Sequence, residues 1–511
     1  MTASALRILP GATMRLGGRD WLALVVCCVG AGTVALAIAT RLPDAGLTSA
    51  IGLAVGLPAV GYLALSRRYG MTLALLALYI GLLDGVIKMR TGVQAASLLR
   101  DVLIAAVAGG ALARLLHERR MPVMPPLTPW VVGFCVLVVL QVFNPNTLGL
   151  TKALAGIRQH LEWVPLFFFA FALLRTKHAL RNLAILIGVI AALNGVVGLV
   201  QFQLSPDELA SWGPGYAERI RGSDELGGRA FLDESGGEHV RPFGLGSDMG
   251  FAGMVGVIAA PMVLALLATG RLARRWWLGG LLAAGILAGV LTSQSRSAMI
   301  GAVVAILAFA ALGMAGARLS RALGALALVA ALAWLVVPTI AANAGPGTFD
   351  RYATIAPGKV LGTAYDYRED DNDELGRLVS EFPLGGGLGT VGPARGFGGG
   401  ERPFETRYEA FNGETHFNYL AIELGVPGLL LFTAFQALLL FLVMTRLRRI
   451  PDRDVRTYVA GALAPCFVIL AGGLGGPTMS APPFAPWFWV TAGLAAYWLC
   501  QTRPVDTPRK P

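Results

Sequence analysis

The chain has 511 residues, of which 55% are hydrophobic and 14% are charged, and its mean hydropathy is +0.63. These values are typical of a polytopic membrane protein and argue against a soluble globular enzyme. The formal net charge of +11 would also suit nucleic-acid binding, but the basic residues lie in short connections between apolar runs, where they anchor topology. The five cysteines lie in or beside apolar runs and form no C-x-x-C motif, so the sequence predicts neither a disulfide framework nor a zinc site.

Apolar runs predict the membrane-spanning helices. They indicate an all-α polytopic membrane protein with about 12–14 transmembrane helices. The basic segment Met1–Asp20 precedes a full-length apolar run without a clear cleavage site, so we expect a retained first helix and not a cleaved signal peptide. The candidate spans are Trp21–Thr40, Thr48–Leu65, Met71–Ile87, Val102–Leu116, Pro129–Phe143, Leu161–Leu174, Leu180–Val200, Phe251–Thr269, Trp276–Leu291, Ala298–Met314, Leu323–Ile340, Pro427–Met444, Val459–Leu474 and Phe484–Leu499.

The distribution of basic residues predicts the orientation. With the N-terminus in the cytoplasm, every second connection is basic, and that side holds more than half of the 42 Lys and Arg residues. Both termini are then cytoplasmic, and the long segments Gln201–Gly250 and Ala341–Val426 are extracytoplasmic. We expect these segments to be partly ordered lids. In the second, apolar spacing predicts a short amphipathic helix over Leu375–Phe382 that ends at Pro383.

Three arginines at the outer ends of predicted spans are candidates for binding phosphate. Arg296 lies in a short turn between two apolar runs, Arg158 begins a span, and Arg241 precedes another. A guanidinium stays charged and bonds phosphate oxygens bidentately. The alternatives are a snorkelling anchor for Arg296, an i, i+4 ion pair with Glu162 for Arg158, and a solvated loop charge for Arg241.

A histidine and two carboxylates lie where the second long loop re-enters an apolar run. His416 begins a helix-like pattern in which Glu423 falls on its face at i+7, and Glu414 precedes it. With a carboxylate beside it, His416 could accept a proton from an attacking hydroxyl or donate a hydrogen bond to an anion. The alternative is a helix-capping or interfacial histidine.

The acidic run Glu369-Asp-Asp-Asn-Asp-Glu374 could bind a divalent cation through oxygen ligands, although the pattern favours a solvated loop. The chain contains no Walker A motif, Rossmann fingerprint or H-E-x-x-H motif. We therefore predict no cofactor, no metal site and no nucleotide-driven chemistry.

Several motifs, in this order, resemble the O-antigen ligase / O-antigen polymerase superfamily of bacterial envelope glycosyltransferases. The resemblance covers roughly residues 130–445, and it includes one departure: Phe417 follows His416 where family members often have asparagine, which here is Asn418. The matching pieces are Gly156-Ile-Arg158, Leu193-Asn-Gly195 with Gln201, Arg241-Pro-Phe-Gly244, Ser295-Arg-Ser-Ala298, Phe382-Pro-Leu-Gly-Gly-Gly-Leu-Gly389, His416-Phe-Asn-Tyr-Leu420 and Glu423-Leu-Gly-Val-Pro-Gly428.

The resemblance implies a metal-independent, inverting glycosyltransferase in the bacterial inner membrane. Its donor would be a glycan on undecaprenyl pyrophosphate, and its acceptor a hydroxyl of a glycan, lipid A–core or another molecule, in lipopolysaccharide or exopolysaccharide biosynthesis. Residues 130–445 would be the family core, between N-terminal helices over 1–129 and C-terminal helices with a cytoplasmic tail over 446–511. The implied catalytic residues are His416, Glu423 and Glu414, and the implied pyrophosphate-binding and substrate-binding residues are Arg296, Arg241, Arg158, Asn418 and Arg377.

Ligation of a finished glycan, polymerisation of repeat units and glycosylation of proteins all remain open within the family. The alternative from another class is a lipid-linked glycan flippase or other polytopic transporter. A transporter predicts a polar pathway that reaches both membrane faces, whereas the unusual charges of this sequence collect on one predicted side. That asymmetry favours an enzyme.

Overall fold

A computed structural model describes residues 60–92, 97–119, 123–223, 226–227, 231–232, 238–269, 276–313, 369–392, 394 and 415–500. The predicted spans Trp21–Thr40 and Leu323–Ile340, most of Thr48–Leu65, and the candidate Glu414 lie outside these residues. The structural statements below concern the described residues alone.

The described residues are mainly helical. The helices are α1 (Tyr69–Leu78), α2 (Asp84–Thr91), α3 (Ser97–His117), α4 (Thr128–Leu140), α5 (Gly149–Leu161), α6 (Pro165–Leu173), α7 (Lys177–Gln201), α8 (Pro206–Ala210), α9 (Pro214–Arg221), α10 (Phe251–Ala268), α11 (Trp276–Thr292), α12 (Arg296–Gly313), α13 (Glu369–Glu381), α14 (His416–Arg446), α15 (Arg453–Leu463), α16 (Pro465–Gly472) and α17 (Phe484–Trp498). A π-helical turn, Tyr79–Leu83, joins α1 to α2, and 3-10 turns follow α4 and α14. Two antiparallel hairpins pair β1 (Gly222–Ser223) with β2 (Leu226–Gly227) and β3 (Phe231–Leu232) with β4 (Glu238–His239).

Five helical stretches are long and apolar enough to cross a membrane by length and composition. This finding supports the predicted class, a polytopic membrane protein built from helices. The number of spans in the whole chain and their orientation stay predictions. The five stretches are Tyr69–Thr91, Lys177–Gln201, Phe251–Ala268, His416–Arg449 and Arg453–Gly472.

The chain divides into two compact units, each built from separate parts of the sequence. Unit 1 comprises Met1–Val123, Ala172–Ala353 and Pro451–Pro465, and unit 2 comprises Met124–Phe171, Thr354–Ile450 and Cys466–Pro511. The sequence-based boundaries at residues 129 and 445 concern the extent of a family resemblance and stay predictions.

Small residues let the helices of unit 1 approach closely. A Cβ on Gly195 of α7 would collide with the carbonyl oxygen of Gly285 on α11, and a Cβ on Gly285 would lie 2.8 Å from the Cα of Ala192. On α10, a Cβ on Gly253 would lie 2.5 Å from the hydroxyl of Ser293. Close backbone approach at small residues is how helices pack where lipid removes the hydrophobic drive between them. Unit 1 therefore has a tight helix bundle around α7, α10 and α11.

The first long segment, Gln201–Gly250, contains the short helices α8 and α9 and both hairpins. Ser205 and Glu208 form a capping box at the start of α8. Tyr216 on α9 is buried against Phe243, with ring centroids 5.3 Å apart. Burial raises the pKa of the Tyr216 phenol above its ordinary value. The segment therefore packs around a small hydrophobic cluster that it shares with Met89 of α2.

Unit 2 is packed by aromatic side chains. Phe134 of α4 lies 4.9 Å from Phe432 of α14 and 6.3 Å from Trp489 of α17, as distances between ring centroids. Trp130 stacks on Phe435 with centroids 6.4 Å apart. Offset and edge-on ring pairs at these distances are favourable beyond the area they bury. The aromatic cluster thus joins α4, α14 and α17.

Helix α14 breaks at Gly425, which explains a difference from the sequence prediction. Gly425 has φ 66° and ψ −164°, a left-handed conformation that favours glycine, and Pro427 follows two residues later. The apolar run predicted a span starting at Pro427, whereas the helical stretch begins at His416. The apolar run identified only the part of α14 after the break, while the helix-like pattern predicted to begin at His416 matches the start of the helix.

The predicted amphipathic helix exists but begins earlier than its apolar spacing indicates. α13 covers Glu369–Glu381, whereas the prediction was Leu375–Phe382. The acidic run Glu369–Glu374 is therefore helical, and its interpretation as a loop was wrong. Carboxylates in a first helical turn are stabilised by the helix dipole, so an acidic run can begin a helix.

Candidate functional site

His416 is a buried histidine at the start of α14, in unit 2. Thr415 caps the helix by accepting a hydrogen bond from the Asn418 amide at 3.1 Å, and the His416 amide donates to the Gly473 carbonyl at 2.9 Å. The side chain is packed 5.4 Å from the Phe432 ring, and the residue is 2% exposed. The cap and the hydrogen bond from the His416 amide fix the backbone that carries the imidazole.

Both ring nitrogens of His416 are buried and lack a hydrogen-bond partner among the residues that the structure describes. Leaving a buried polar group unpaired costs about 1–3 kcal/mol. Such exceptions in a folded protein call for an explanation, and a catalytic or ligand-binding role is one. Among the candidates of unit 2, His416 is thus the one best suited to accept a proton or a hydrogen bond from a substrate.

Glu423, seven residues after His416, pairs with a different histidine. Its Oε2 lies 2.7 Å from Nε2 of His160 on α5 and 3.4 Å from Nε2 of Gln159. Its Oε1 accepts the backbone amides of Thr390 at 3.0 Å and Val391 at 3.2 Å. A fully buried carboxylate is tolerated when donors surround it in this way. The sequence spacing indicated a pairing of Glu423 with His416, but the structure shows Glu423 held by His160.

The glycine-rich segment Pro383–Gly392 wraps around this carboxylate. Gly385, Gly387 and Gly389 have positive φ values of 93°, 89° and 76°, which glycine adopts without strain. The side chain of Gln141 donates to the Leu384 carbonyl at 2.5 Å, and that of Asn144 donates to the Gly385 carbonyl at 2.8 Å. The segment therefore contacts the end of α4 and surrounds Glu423, and two of its amides serve the protein's own carboxylate.

The other candidates of unit 2 have varied surroundings. Asn418 is buried within α14, and Arg158 is half-buried on α5, two residues before His160 in sequence. Arg377 is exposed on α13 and lies 3.7 Å from Glu381, an i, i+4 ion pair. The roles of these residues in substrate binding stay predictions.

In unit 1, the segment that carries Arg241 is held by two amide side chains of α7. Gln201 Oε1 accepts the amides of Phe243 at 2.9 Å and Gly244 at 2.7 Å, while its Nε2 donates to the Gly244 carbonyl at 2.9 Å. Asn194 Oδ1 accepts the Leu245 amide at 2.9 Å. Both amides are buried, at 2% and 0% exposure. The backbone after Arg241 is therefore fixed by neutral hydrogen bonds.

Arg241 and Arg296 are brought to the same region of unit 1 through Gly250. The Gly250 amide donates to the carbonyl of Pro242, next to Arg241, at 2.8 Å. A Cβ on Gly250 would lie 3.3 Å from the Cβ of Ser295, next to Arg296. Arg241 precedes Pro242 and Arg296 follows Ser295, so both arginines adjoin residues that contact Gly250.

Two helix N-termini meet at this place. Gly250 is the N-cap of α10, and Arg296 is the first residue of α12, whose Ala298 amide donates to Ser295 Oγ at 3.3 Å. A helix N-terminus carries about half a positive charge and attracts anions. The arrangement of α10, α12, Arg241 and Arg296 is therefore suited to a ligand with concentrated negative charge. We call it the arginine site.

The turn that precedes Arg296 is buried and strained. Ser293, Gln294 and Ser295 are 0%, 1% and 7% exposed, and Gln294 has φ 49°. A non-glycine residue in this conformation costs roughly 1–3 kcal/mol, and such strain clusters at functional sites. The position of Arg296 is thus set by a conformation that the surrounding helices impose.

Sequence reasoning missed three features. His160 and Gln159 had no assigned role, and the charged pair Asp84–Arg100 went unremarked, although an ionisable residue inside an apolar span is a detectable signal. In unit 1, Nη1 of Arg100 lies 2.9 Å from Oδ2 of Asp84. Among the described residues, no cluster of three or more His, Cys, Asp and Glu side chains is placed to hold a metal ion.

Comparison of the chain with protein-family models, characterised proteins and solved structures finds no match.

Proposed function

We propose that the protein is a membrane glycosyltransferase that moves a glycan from undecaprenyl pyrophosphate to an acceptor hydroxyl. The observation that supports this most is the arginine site, where Arg241, Arg296 and the N-termini of α10 and α12 converge. The site would lie at the outer face of a bacterial inner membrane, in lipopolysaccharide or exopolysaccharide synthesis, with both chain termini in the cytoplasm. The bilayer supplies the lipid donor, and no nucleic acid takes part.

The arginine site would hold the leaving group. Negative charge grows on the pyrophosphate as its bond to the sugar breaks, so fixed positive groups stabilise the transition state more than the ground state. Removing one preorganised donor of this kind costs about 10²–10³-fold in rate. Arg241 and Arg296 are our first candidates, and Arg158 and Arg377 are further candidates for contacts with the donor.

His416 would orient or deprotonate the acceptor hydroxyl. The acceptor oxygen attacks the anomeric carbon, the bond from that carbon to the pyrophosphate oxygen breaks, and the hydroxyl proton passes to a ring nitrogen of His416. A positioned general base contributes about 10²–10⁴-fold. The ring nitrogens of His416, which have no hydrogen-bond partner among the described residues, support this role, and Asn418 and Glu414 are further candidates.

Glu423 would act through position and not through proton transfer. Its carboxylate already accepts bonds from His160, Gln159 and two backbone amides. This network joins α5, α14 and the segment Pro383–Gly392, so it would keep His416 in place. The role refines the catalytic one predicted for Glu423 from the sequence.

The test is a transfer assay in proteoliposomes that contain the purified protein, a lipid-linked glycan and a hydroxyl acceptor. The proposal predicts a glycosylated acceptor and release of undecaprenyl pyrophosphate, with both lost in Arg296→Ala and His416→Ala. Movement of the intact lipid-linked glycan between leaflets, without release of the carrier, would instead identify a flippase. Normal transfer by both variants would contradict the assigned roles.

A further inference from the structure

A π-helical turn interrupts the apolar stretch Tyr69–Thr91 of unit 1. Across it, the Asp84 amide donates to the Tyr79 carbonyl, an i→i+5 bond. Residues joined by such a bond lie one above the other on the same side of the helix, and π-turns occur frequently at functional sites. The turn therefore places Tyr79 and Asp84, five residues apart, on the same side of the helix.

Asp84 forms a buried ion pair that leaves one of its oxygens unused. Its Oδ2 accepts a hydrogen bond from Arg100 at 2.9 Å, and the residue is 5% exposed. Asp84 Oδ1 and the Tyr79 hydroxyl are both buried and have no hydrogen-bond partner among the described residues. One atom is an acceptor and the other is both donor and acceptor. A single O–H group could satisfy both, by donating to Asp84 and accepting from Tyr79.

The local charges favour a neutral ligand. Among the described residues, Arg100, Lys88 and Asp101 interact electrostatically with Asp84, and two basic and two acidic side chains balance in formal charge. A cation would meet Arg100, and an anion would meet Asp84, in surroundings that amplify either repulsion. A hydroxyl adds no charge. Both a buried water and a sugar hydroxyl have this chemistry, and the position of the pair distinguishes them.

The pair lies beside the segment that carries Arg241. The backbone of Gly85, the residue after Asp84, is so close to Leu245 and Gly246 that a Cβ on Gly85 would collide with both. Leu245 is held by Asn194, and Gly250 of the same segment belongs to the arginine site. A sugar attached to a pyrophosphate in the arginine site would bring hydroxyl groups to this neighbourhood.

We propose that Tyr79 and Asp84 form a hydroxyl-binding subsite for the sugar attached to the lipid pyrophosphate. Arg100 holds Asp84 so that Oδ1 stays available, which makes Arg100 a positioning residue. The inference rests on the proposed function, because it takes the pyrophosphate to be bound at the arginine site. It adds that the protein recognises the sugar as well as its carrier.

The test compares two lipids on the full-length protein in nanodiscs. One is bare undecaprenyl pyrophosphate, and the other is the undecaprenyl-pyrophosphate-linked glycan extracted from a strain that lacks this protein. We expect the glycan-bearing lipid to bind wild type about tenfold more tightly, since a hydrogen bond to a charged group has roughly that effect. Tyr79→Phe should reduce this difference, because it removes the neutral hydrogen bond of the pair, and Asp84→Asn should abolish it, because it removes the charged acceptor; neither should change the affinity for the bare lipid.

Tyr458→Phe is the matched control in the same unit, because the Tyr458 hydroxyl lies 2.7 Å from that of Thr269 and is therefore partnered. It should lower the melting temperature and leave both affinities unchanged, whereas Tyr79→Phe should not lower the melting temperature. A structural water would give the opposite for Tyr79→Phe, with a lower melting temperature and unchanged affinities, and would overturn the subsite alone. Failure of both lipids to bind wild type would overturn the proposed function and this inference with it.

Discussion

The candidate regions of the two units differ in how their buried polar groups are hydrogen-bonded. In unit 1, neutral amides fix the backbone beside Arg241, through Gln201 and Asn194. In unit 2, a carboxylate and a histidine are buried together, with Glu423 Oε2 2.7 Å from His160 Nε2. Neutral hydrogen bonds hold the backbone beside Arg241, whereas in unit 2 a buried carboxylate is held by a histidine, a glutamine and two backbone amides. We propose that unit 1 binds the anionic pyrophosphate and that unit 2 supplies the proton chemistry.

A second contrast lies within unit 2, between two histidines near the same aromatic pair. His160 lies 6.2 Å from Phe134, and His416 lies 5.4 Å from Phe432, as distances between ring centroids. His160 is hydrogen-bonded, whereas neither ring nitrogen of His416 has a partner among the described residues. The two histidines are therefore similarly buried but differ in their hydrogen bonding. His160 is suited to stabilising the fold, and His416 is suited to taking part in a reaction.

Arg296→Ala should have a large effect on transfer. We expect a loss of about 10²–10³-fold in kcat/KM, because a preorganised positive group would be missing at the leaving pyrophosphate. Arg296→Lys should recover part of the loss, since charge is kept but the bidentate fork is not. The matched control is Arg221→Ala, since Arg221 is exposed and pairs with Asp207 at 2.7 Å. Equal activity of the two alanine variants would remove Arg296 from the mechanism.

His416→Phe and His160→Phe should separate activity from stability. His416→Phe should lose about 10²–10⁴-fold in transfer without lowering the melting temperature, since it removes buried nitrogens that have no partner in the described structure. His160→Phe should destabilise the protein by about 1–3 kcal/mol, because it leaves the buried Glu423 carboxylate without its shortest hydrogen bond. Thermal unfolding measured beside transfer tests both. A destabilised His416→Phe together with a stable His160→Phe would reverse the assignment.

Gly425→Ala should destabilise unit 2 by roughly 1–2 kcal/mol from the left-handed conformation alone. Steric contact should add to that cost, because a Cβ there would meet the backbone of Leu384 at 2.6 Å. Gly376 is exposed on α13, and a Cβ added there would meet no neighbouring residue within 4 Å. Gly376→Ala is therefore the control and should be neutral or stabilising. Denaturation midpoints compare the two. A neutral Gly425→Ala would show that the glycine-rich segment does not depend on the break in α14.

The smallest effect concerns pH and the cap of α8. Hydrogen bonds from the backbone and side chain of Ser205 lower the pKa of Glu208 below its ordinary value. Because the folded pKa is the lower one, the stabilisation is present above the ordinary glutamate pKa and is lost as pH falls through the lowered value. The protection of the Glu208 amide against hydrogen exchange, taken relative to its intrinsic rate at each pH, should therefore fall at acidic pH, and Ser205→Ala should remove that pH dependence. Unchanged dependence in Ser205→Ala would show that the cap does not set the pKa.

Sequence patterns predicted the membrane class and most helices of the described chain, because an apolar run is a local property. The helix-like pattern that begins at His416 is confirmed as the start of α14, whereas the apolar span was drawn only from Pro427 because Asn418 and Glu423 interrupt the apolar run. The candidates at Arg241 and Arg296 were recognisable as charges beside spans, but their meeting at Gly250 depends on contacts between distant segments. The pairing of Glu423 with His160 has the same origin, since the two are 263 residues apart.

The central claim is that the arginine site binds a pyrophosphate. It is tested most directly by the affinity of the full-length protein for undecaprenyl pyrophosphate, compared with undecaprenol, which lacks both phosphates. We predict that the protein binds undecaprenyl pyrophosphate tightly and does not bind undecaprenol. The double variant Arg241→Ala/Arg296→Ala should bind undecaprenyl pyrophosphate at least about tenfold more weakly, and its melting temperature should stay close to that of wild type. Equal affinity of wild type for the two lipids, or an unchanged affinity in the double variant, would contradict the account.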